Sequence, residues 1–379
     1  YTQEVPNLGV TTSSFWIKIE IENKTKFSNL LLNLEYPILD QVDFYSISFE
    51  GKIDSISTGE YMPFHHRIHN DPNYIFDINI PQNLTKKFYL KIKSGEQILV
   101  PLILGSPTSL YETILNKNTL FGLYVGIMIV MLFYNLFIFF SVRDKIYLFY
   151  VVYLIMVALT QTHLQGYTFK YLWPNSPWMA IHSMFLTPSL VGIAIAEFIK
   201  VFLKTKENVP ILHKGLNIIS SVYIICILLG LFGYHNESQK IIHLNAMAIS
   251  LYGLFIAIKI SRQGFRTAKF FLIAWTIFLI GVCVFILKDF GVLPFNNFTT
   301  YMMPAGSALE VVLLSFALAD RINILKKEKE ESQLEMLIAL QENKNLITEQ
   351  NIVLEKKVHE RTQALEVANI AVSYTHLTL

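Results

Sequence analysis

The pattern of apolar and polar positions divides the chain into three stretches. From Phe15 to Leu102 apolar residues alternate with polar ones over short runs bounded by turn residues, the period of half-buried β-strands. In Phe15-Trp16-Ile17-Lys18-Ile19-Glu20-Ile21-Glu22 the three isoleucines share one face, and Trp16 falls on the other with Lys18 and Glu20. Further strands are expected at Leu30–Tyr36, Val42–Phe49, Tyr74–Ile80, Phe88–Lys93 and Gln97–Leu102, separated by turns such as Glu50-Gly51, Asn70-Asp71-Pro72-Asn73 and Ser94-Gly95. Many short strands at this spacing predict a β-sandwich or jelly roll.

From Leu120 to Ala319 the pattern is apolar over long runs. A helix needs about 20 apolar residues to cross a hydrocarbon core of about 30 Å. Seven runs qualify, at roughly Leu120–Phe140, Ile146–Thr162, Trp178–Phe202, Leu216–Tyr234, Ile241–Ile260, Phe270–Leu287 and Thr299–Ala319. The third stretch, from Arg321 to about Ile370, is charged, helical in period and free of Gly and Pro. One heptad frame places Leu337, Lys344, Asn351, Val358 and Leu365 at a, and Leu340, Ile347, Leu354, Arg361 and Ala368 at d. Asn351 at an a position is the kind of polar insertion that sets a parallel dimer in register. A homodimer through this coiled coil is therefore expected, with a single solvated helix as the alternative.

The domains read as 1–110 (sheet sensor), 118–320 (membrane helices), 321–370 (coiled coil) and 371–379 (tail). The fold class is thus a multi-domain membrane protein: an all-β ectodomain, a seven-helix transmembrane bundle and a C-terminal coiled coil. The Thr-rich, uncharged Ser373-Tyr374-Thr375-His376-Leu377-Thr378-Leu379 breaks the helical pattern and reads as a truncated or artefactual end. Tyr1-Thr2-Gln3-Glu4 has neither basic nor apolar signal character, so an export signal is expected upstream or already removed.

Charge sets the expected orientation. Arg143 and Lys145, then Lys200, Lys204, Lys206 and Lys214, then Lys259, Arg262, Arg266 and Lys269, fall on one set of connections. Arg321, Lys326, Lys327 and Lys329 follow the last span on that same side, and the opposite set holds only Lys170, Lys240 and Lys288. The basic side is cytoplasmic, which puts the sheet domain outside and the C-terminus inside. The first outer loop, Gly166 to Pro174, reads as a source of interfacial aromatics. Composition agrees: 53% of the 379 residues are hydrophobic and 16% charged, below the ~25% charged of soluble domains. The net charge of +2 points to no nucleic-acid partner. Cys226 and Cys283 lie in apolar runs and read as core residues.

Several segments together resemble the bacterial seven-transmembrane receptors with diverse intracellular signalling modules (7TMR-DISM). In the sheet domain these are Trp16, Asn23, Gly59-Glu60-Tyr61-Met62-Pro63-Phe64 and Arg67. In the last span they are Gly306-Ser307-Ala308-Leu309-Glu310 and Leu314 to Asn323, and in the coiled coil Gln350-Asn351 and Leu354 to Thr362. The resemblance implies a bacterial inner-membrane receptor with a jelly-roll sensor of the family's type-two extracellular class. Such a sensor binds carbohydrates or other small ligands and signals to a cytoplasmic output. The Glu360-Arg361-Thr362 connector most resembles those ahead of histidine kinases. No output domain falls within Arg321–Leu379. His359 and His376 lack phosphoacceptor surroundings, so this stretch is expected to transmit without phosphotransfer.

Candidate residues follow from chemistry. Trp16, Tyr61, Phe64, His65 and Arg67 offer stacking and polar groups for a small ligand, the alternative being a buried loop in which Arg67 pairs an acid. His65, His66 and His69 lack a scaffold for a metal, and no metal or cofactor is expected. Glu310, near the middle of the last span, is costly in hydrocarbon and should face the bundle interior as a switch or structural group. Pro304 and Gly306 lie nearby and permit a kink. Asp320-Arg321 marks the membrane exit and, with Glu310 and Asn351, is expected to transmit the signal. Glu197 and Lys200 read as a structural pair. The alternative function is a membrane-embedded enzyme with its active site in the bundle. Against it, His163, His182 and His243 are scattered, the last span has no Schiff-base lysine, and no internal repeat, phosphate loop or cysteine pair is present.

Overall fold

The computed structural model describes residues 5–11, 13–48, 51–264 and 266–377, with side chains described as far as 370 apart from those of 266, 289, 325 and 328. The expected start at residues 1–4, the end of the strand at Phe49, the turn residue Glu50 and the last residues of the tail lie outside the described residues, as do the tail's side chains.

Among the described residues nine strands form the first domain: β1 (Asn7–Val10), β2 (Phe15–Glu22), β3 (Asn29–Leu34), β4 (Gln41–Ile47), β5 (Ile53–Thr58), β6 (Tyr74–Asn79), β7 (Thr85–Lys93), β8 (Gln97–Leu99) and β9 (Leu102–Gly105). They pair antiparallel in the orders β2-β7-β4-β5, β6-β3-β9 and β1-β8. The sheets close on one core, in which Leu32, Phe44, Phe76, Phe88 and Leu90 are buried and Phe44 stacks on both Phe76 and Phe88. Strand β2 alternates as its sequence requires, with Ile17, Ile19 and Ile21 packed inward and Trp16, Lys18 and Glu20 exposed. Strand β3 does not alternate, because its second face is covered too: Leu31, with Ile75 of β6, packs on Leu110 and Ile114 of the first helix. Asn23 organises the turn after β2, donating to the carbonyls of Phe27 and Ile80 at 2.8 and 2.7 Å.

Two strands were not expected. In β5 the apolar residues do not alternate, and Ile53 is exposed at the edge. In β1 only four residues pair. The strand expected at Gln97–Leu102 is two, β8 and β9, broken at Val100-Pro101. Pro101 has no N–H for a ladder, and its carbonyl instead accepts from Glu35 N at 2.9 Å while Val100 N bonds to Pro6 O at 3.0 Å.

The helices are α1 (Pro107–Val142), α2 (Lys145–Leu164), α3 (Tyr167–Tyr171), α4 (Pro177–Phe202), α5 (Thr205–Asn208), α6 (Pro210–Leu231), α7 (His235–Arg262), α8 (Arg266–Asp289) and α9 (Asn297–Leu377). Seven of them, α1, α2, α4, α6, α7, α8 and α9, are long and apolar enough to cross a membrane. Several extend well past the apolar run that announced them. Capping by Ser106 and Asp144 and prolines at the first turns of α1, α4 and α6 carry helix into polar flanks. Small residues bring helices together: a Cβ on Gly192 of α4 would lie 2.1 Å from the Tyr223 ring of α6. Phe133, Phe137 and Phe140 of α1 remain exposed, as a lipid-facing surface requires.

The chain forms two compact units, 1–318 and 319–379. The second is helical through Leu377. From Leu334 to Ile370 its apolar side chains, including Leu337, Leu340, Ile347, Leu354 and Leu365, are exposed in the single copy, and Lys326–Glu330 and Lys327–Glu331 pair one turn apart.

Candidate functional site

The five residues expected to bind ligand do not converge. Trp16 stands on the outer face of β2, 60% exposed, stacked on Tyr45 of β4 at 5.4 Å with the Lys91 ammonium 5.9 Å from its ring centroid. Tyr61 is exposed beside a hollow. His65 is exposed, its ring tilted against that of His66 in a single 3-10 turn, Phe64–His66. Phe64 and Arg67 are buried at 7% exposure each. Among the described residues no group of three His, Cys, Asp or Glu side chains is placed to hold a metal.

Phe64 and Arg67 instead build a joint between the sheet domain and the helices. The Arg67 guanidinium lies over the rings of Tyr74, Phe64 and Phe169 at 4.3, 4.9 and 5.6 Å. Its Nη2 donates to Pro37 O at 3.0 Å and to the Tyr74 hydroxyl at 3.3 Å. Phe169 belongs to α3, in the loop between two spanning helices, and meets Phe64 edge-on at 5.6 Å. Phe64 N donates to Pro174 O at 2.8 Å, Lys170 Nζ to Asn70 O at 2.8 Å, and Lys117 of α1 pairs Glu35 at 2.6 Å. Gly166 enters α3 at φ +75, and a Cβ there would come within 2.6 Å of Pro37. Glycine is thus required both by conformation and by room. Phe169 and Trp173 of this loop therefore face the sheet domain rather than lipid headgroups, while Tyr171 and Leu172 stay exposed.

Three carboxyl groups are buried next to this joint. Asp40 accepts from Gly95 N at 2.7 Å through one oxygen, while its other oxygen, both oxygens of Glu60 and one of Glu96 find no hydrogen-bond partner among the described residues. Burial, then the charge of Asp40, pushes Glu60 up to about 8, against the opposing pull of Arg67. Burial raises Asp40 and Glu96 too. Arg67 thus acts on Glu60 through its field, since its Nη2 hydrogen bonds go to neutral oxygens. The hollow beside this group, about 360 Å3, is lined by Asp40, Tyr61 and Glu96 and by His235 and Glu237 at the start of α7. Nothing in the sequence groups these acids, because Asp40, Glu60 and Glu96 are apart along the chain, and Glu60 is marked only as part of the family-like segment Gly59–Phe64.

Inside the bundle, Glu310 is fully buried and both its oxygens lie within hydrogen-bond reach of the Tyr153 hydroxyl, at 2.9 and 2.8 Å. Tyr153 is the top rung of a ladder on α2. Tyr150 donates to Val311 O at 2.6 Å and Tyr147 to Leu318 O at 2.7 Å, so three tyrosines at three-residue spacing grip α9. Asn135 of α1 adds a bond to Ser315 at 3.0 Å. The spacing Tyr147-Tyr150-Tyr153 was the available signal, since it puts three hydroxyls on one helix face. Glu197 and Lys200 pair at 2.5 Å. Asp320 and Arg321 open the second unit, half-buried, and Asn351 is exposed further along it.

Two family descriptions match this architecture. "7TMR-DISM extracellular 2" matches residues 1–106, the strands, and "7TM diverse intracellular signalling" matches residues 117–321, the spanning helices and more than half the chain. No curated protein and no solved structure matches. With its sheet domain jointed to a seven-helix bundle and both parts matched in order, the chain belongs to the 7TMR-DISM family of multi-pass membrane sensory receptors.

Proposed function

We propose that this receptor reads a small extracytoplasmic ligand, a carbohydrate, and passes the signal through α9 to a cytoplasmic output, a histidine kinase, in the bacterial inner membrane. The observation that carries the ligand reading is the outer face of the sheet β2-β7-β4-β5. Cross-strand register sets Trp16 beside Lys91 and Asp43, and Lys18 beside Tyr89 and Tyr45. Three aromatic rings thus share a face with two lysines and a carboxylate, the mixture of stacking and hydrogen-bonding groups that holds a sugar ring. The strand orders 2-7-4-5 and 1-8/9-3-6 support the jelly-roll form of this domain, with β8 and β9 as halves of one broken strand. Tyr61 and His65, on the joint side, are secondary candidates for ligand contact, and Phe64 and Arg67 serve the coupling. In a panel of glucose- and galactose-based oligosaccharides, at least one should bind the purified chain, and Trp16→Ala should weaken it about 10-fold or more. Binding of none, or binding indifferent to Trp16→Ala, overturns the carbohydrate reading.

The division 1–110, 118–320 and 321–370 places sensor, bundle and signalling helix in series. Glu310, Asp320, Arg321 and Asn351 are the transmission points along it. Orientation rests on the basic connections around Arg143, Lys204, Lys206 and Arg262. A membrane-impermeant maleimide should label Tyr171→Cys, an exposed position on α3, in intact cells and leave Lys206→Cys unmodified. The reverse pattern sinks the orientation.

The exposed apolar seam of the second unit supports a parallel homodimer, because an amphipathic helix gains most of its stability by burying that seam. Asn351→Leu should raise the melting temperature of a 321–370 peptide and broaden its oligomer distribution in analytical ultracentrifugation. A peptide that stays monomeric at millimolar concentration excludes the dimer.

A further inference from the structure

We infer that the seven-helix bundle itself holds a binding site for an uncharged amphiphile, with an apolar tail and a hydroxyl or amide head. Two cavities, of about 180 and 120 Å3, lie one above the other between α2, α4, α7, α8 and α9. They share Thr160, Gln161, Pro188, Ile242, Ala246 and other walls, so they are the upper and lower parts of one space. The upper part opens beneath the sheet domain, where Tyr36 and Gln97 reach its rim. The lower part ends on Tyr153, Tyr223 and Trp275.

The polarity of the walls is graded. The lower part is almost wholly apolar. The upper part carries the buried side-chain amides of Gln161 and Gln239, 2% and 4% exposed. The buried Thr300 hydroxyl also lines it and has no partner there. Two helical prolines, Pro188 of α4 and Pro304 of α9, lie on the same wall as Met184 and Thr300, each four residues before its proline. A proline has no N–H to give the carbonyl four residues back, and such carbonyls are tolerated at membrane depth where they line a cavity or are satisfied from it. Amides, a hydroxyl and two released carbonyls at one end, hydrocarbon and rings at the other, are the complement of a polar head and an apolar tail. At the rim the Glu96 carboxyl is buried and holds its proton, and Lys288 is already set over the rings of Phe285 and Phe295, so an uncharged head suits this end. From Gln161 to Tyr153 along α2 is eight residues, about 12 Å. An extended chain advances about 3.5 Å per three bonds, so the depth suits a chain of roughly ten atoms. Its tail would end against Tyr153, the residue that holds Glu310 of α9. The site is separate from the sugar-binding face proposed above.

Photolabelling tests it. The purified full chain, in nanodiscs of dioleoyl phosphatidylcholine, is labelled with a ten-carbon alcohol carrying a diazirine near its tail end. A second arm puts the diazirine on the phosphatidylcholine acyl chain. Labelling of Tyr223 and Trp275, saturable by unlabelled decanol, is expected from the alcohol and would identify a soluble amphiphile as the occupant. Labelling of the same residues from the lipid arm and not from the alcohol would make the occupant a bilayer lipid tail and overturn the inference. Ala246→Phe, which fills the waist between the two parts, should cut cavity labelling at least 10-fold and leave lipid-facing Phe137 and Leu244 labelled as before. Gln161→Leu keeps the volume and should weaken labelling about 3- to 10-fold, so it decides the matter alone should Ala246→Phe fail to fold. Absence of saturable labelling at Tyr223 and Trp275 in both arms, or labelling that Gln161→Leu leaves unchanged, overturns the inference.

Discussion

Glu310→Leu in a full-length receptor should abolish the response to ligand while leaving membrane insertion intact or improved. The substitution removes a carboxyl group from hydrocarbon, where acidic residues cost about 2.5–3.5 kcal/mol on insertion scales. It also removes the partner of Tyr153, and with it one of the ties between α2 and α9. A contact worth about 2 kcal/mol that is made in one receptor state and lost in the other shifts the ratio of states about 30-fold. Tyr153→Phe tests the same contact from the other side. It leaves the Glu310 carboxyl buried with no donor and should lower stability by about 1–2 kcal/mol in detergent unfolding. The double variant should sit close to Glu310→Leu alone, since neither group then lacks a partner. A receptor carrying Glu310→Leu that still responds to ligand would reduce the pair to a packing feature.

The second large effect concerns pH. Glu60 is fully buried and its carboxyl is raised from 4.5 to about 8. Through that window the folded protein holds a proton that the unfolded chain has released. Stability therefore falls as pH rises from about 4.5 towards 8 and levels off above it, by on the order of 5 kcal/mol in all. Asp40 and Glu96, also raised, add slopes of the same sign. Glu60→Gln keeps the shape and removes the titration. It should flatten most of the loss and make the variant the more stable form at pH 8.5. Thermal denaturation of the purified chain between pH 5 and 9 reads this directly. Parallel curves for the two proteins would show that Glu60 does not hold its proton in the fold. Because the group adjoins Arg67 and the start of α7, its ionisation at alkaline pH would load the joint between sensor and bundle.

What could be read from the sequence was whatever depends on local period. Alternation placed β2, β4, β6 and β7 because a half-buried strand must turn every second side chain inward, and β3 showed as a short apolar run between turns. The seven spanning helices were legible because an unbroken apolar run of about 20 residues satisfies its own backbone across a bilayer only as a helix. Glu310 stood out because a carboxylate in an apolar run has few places to go. The matched 7TMR-DISM segments followed from the order of these parts.

Tertiary structure decided what depends on partners distant in sequence. Arg67 and Phe64 read as ligand contacts by their chemistry, yet the fold spends them on Phe169, over a hundred residues away, because a cation in a buried joint is best satisfied by rings and carbonyls. Asp40, Glu60 and Glu96 are unremarkable alone and become a titrating group only when the sandwich buries them together. Tyr153 and Glu310, 157 positions apart, meet because α2 and α9 pack side by side. Gln161, Gln239 and Thr300 come to face one cavity for the same reason. Period along a chain reports which face a residue occupies, but it carries no information about which other face will be opposite.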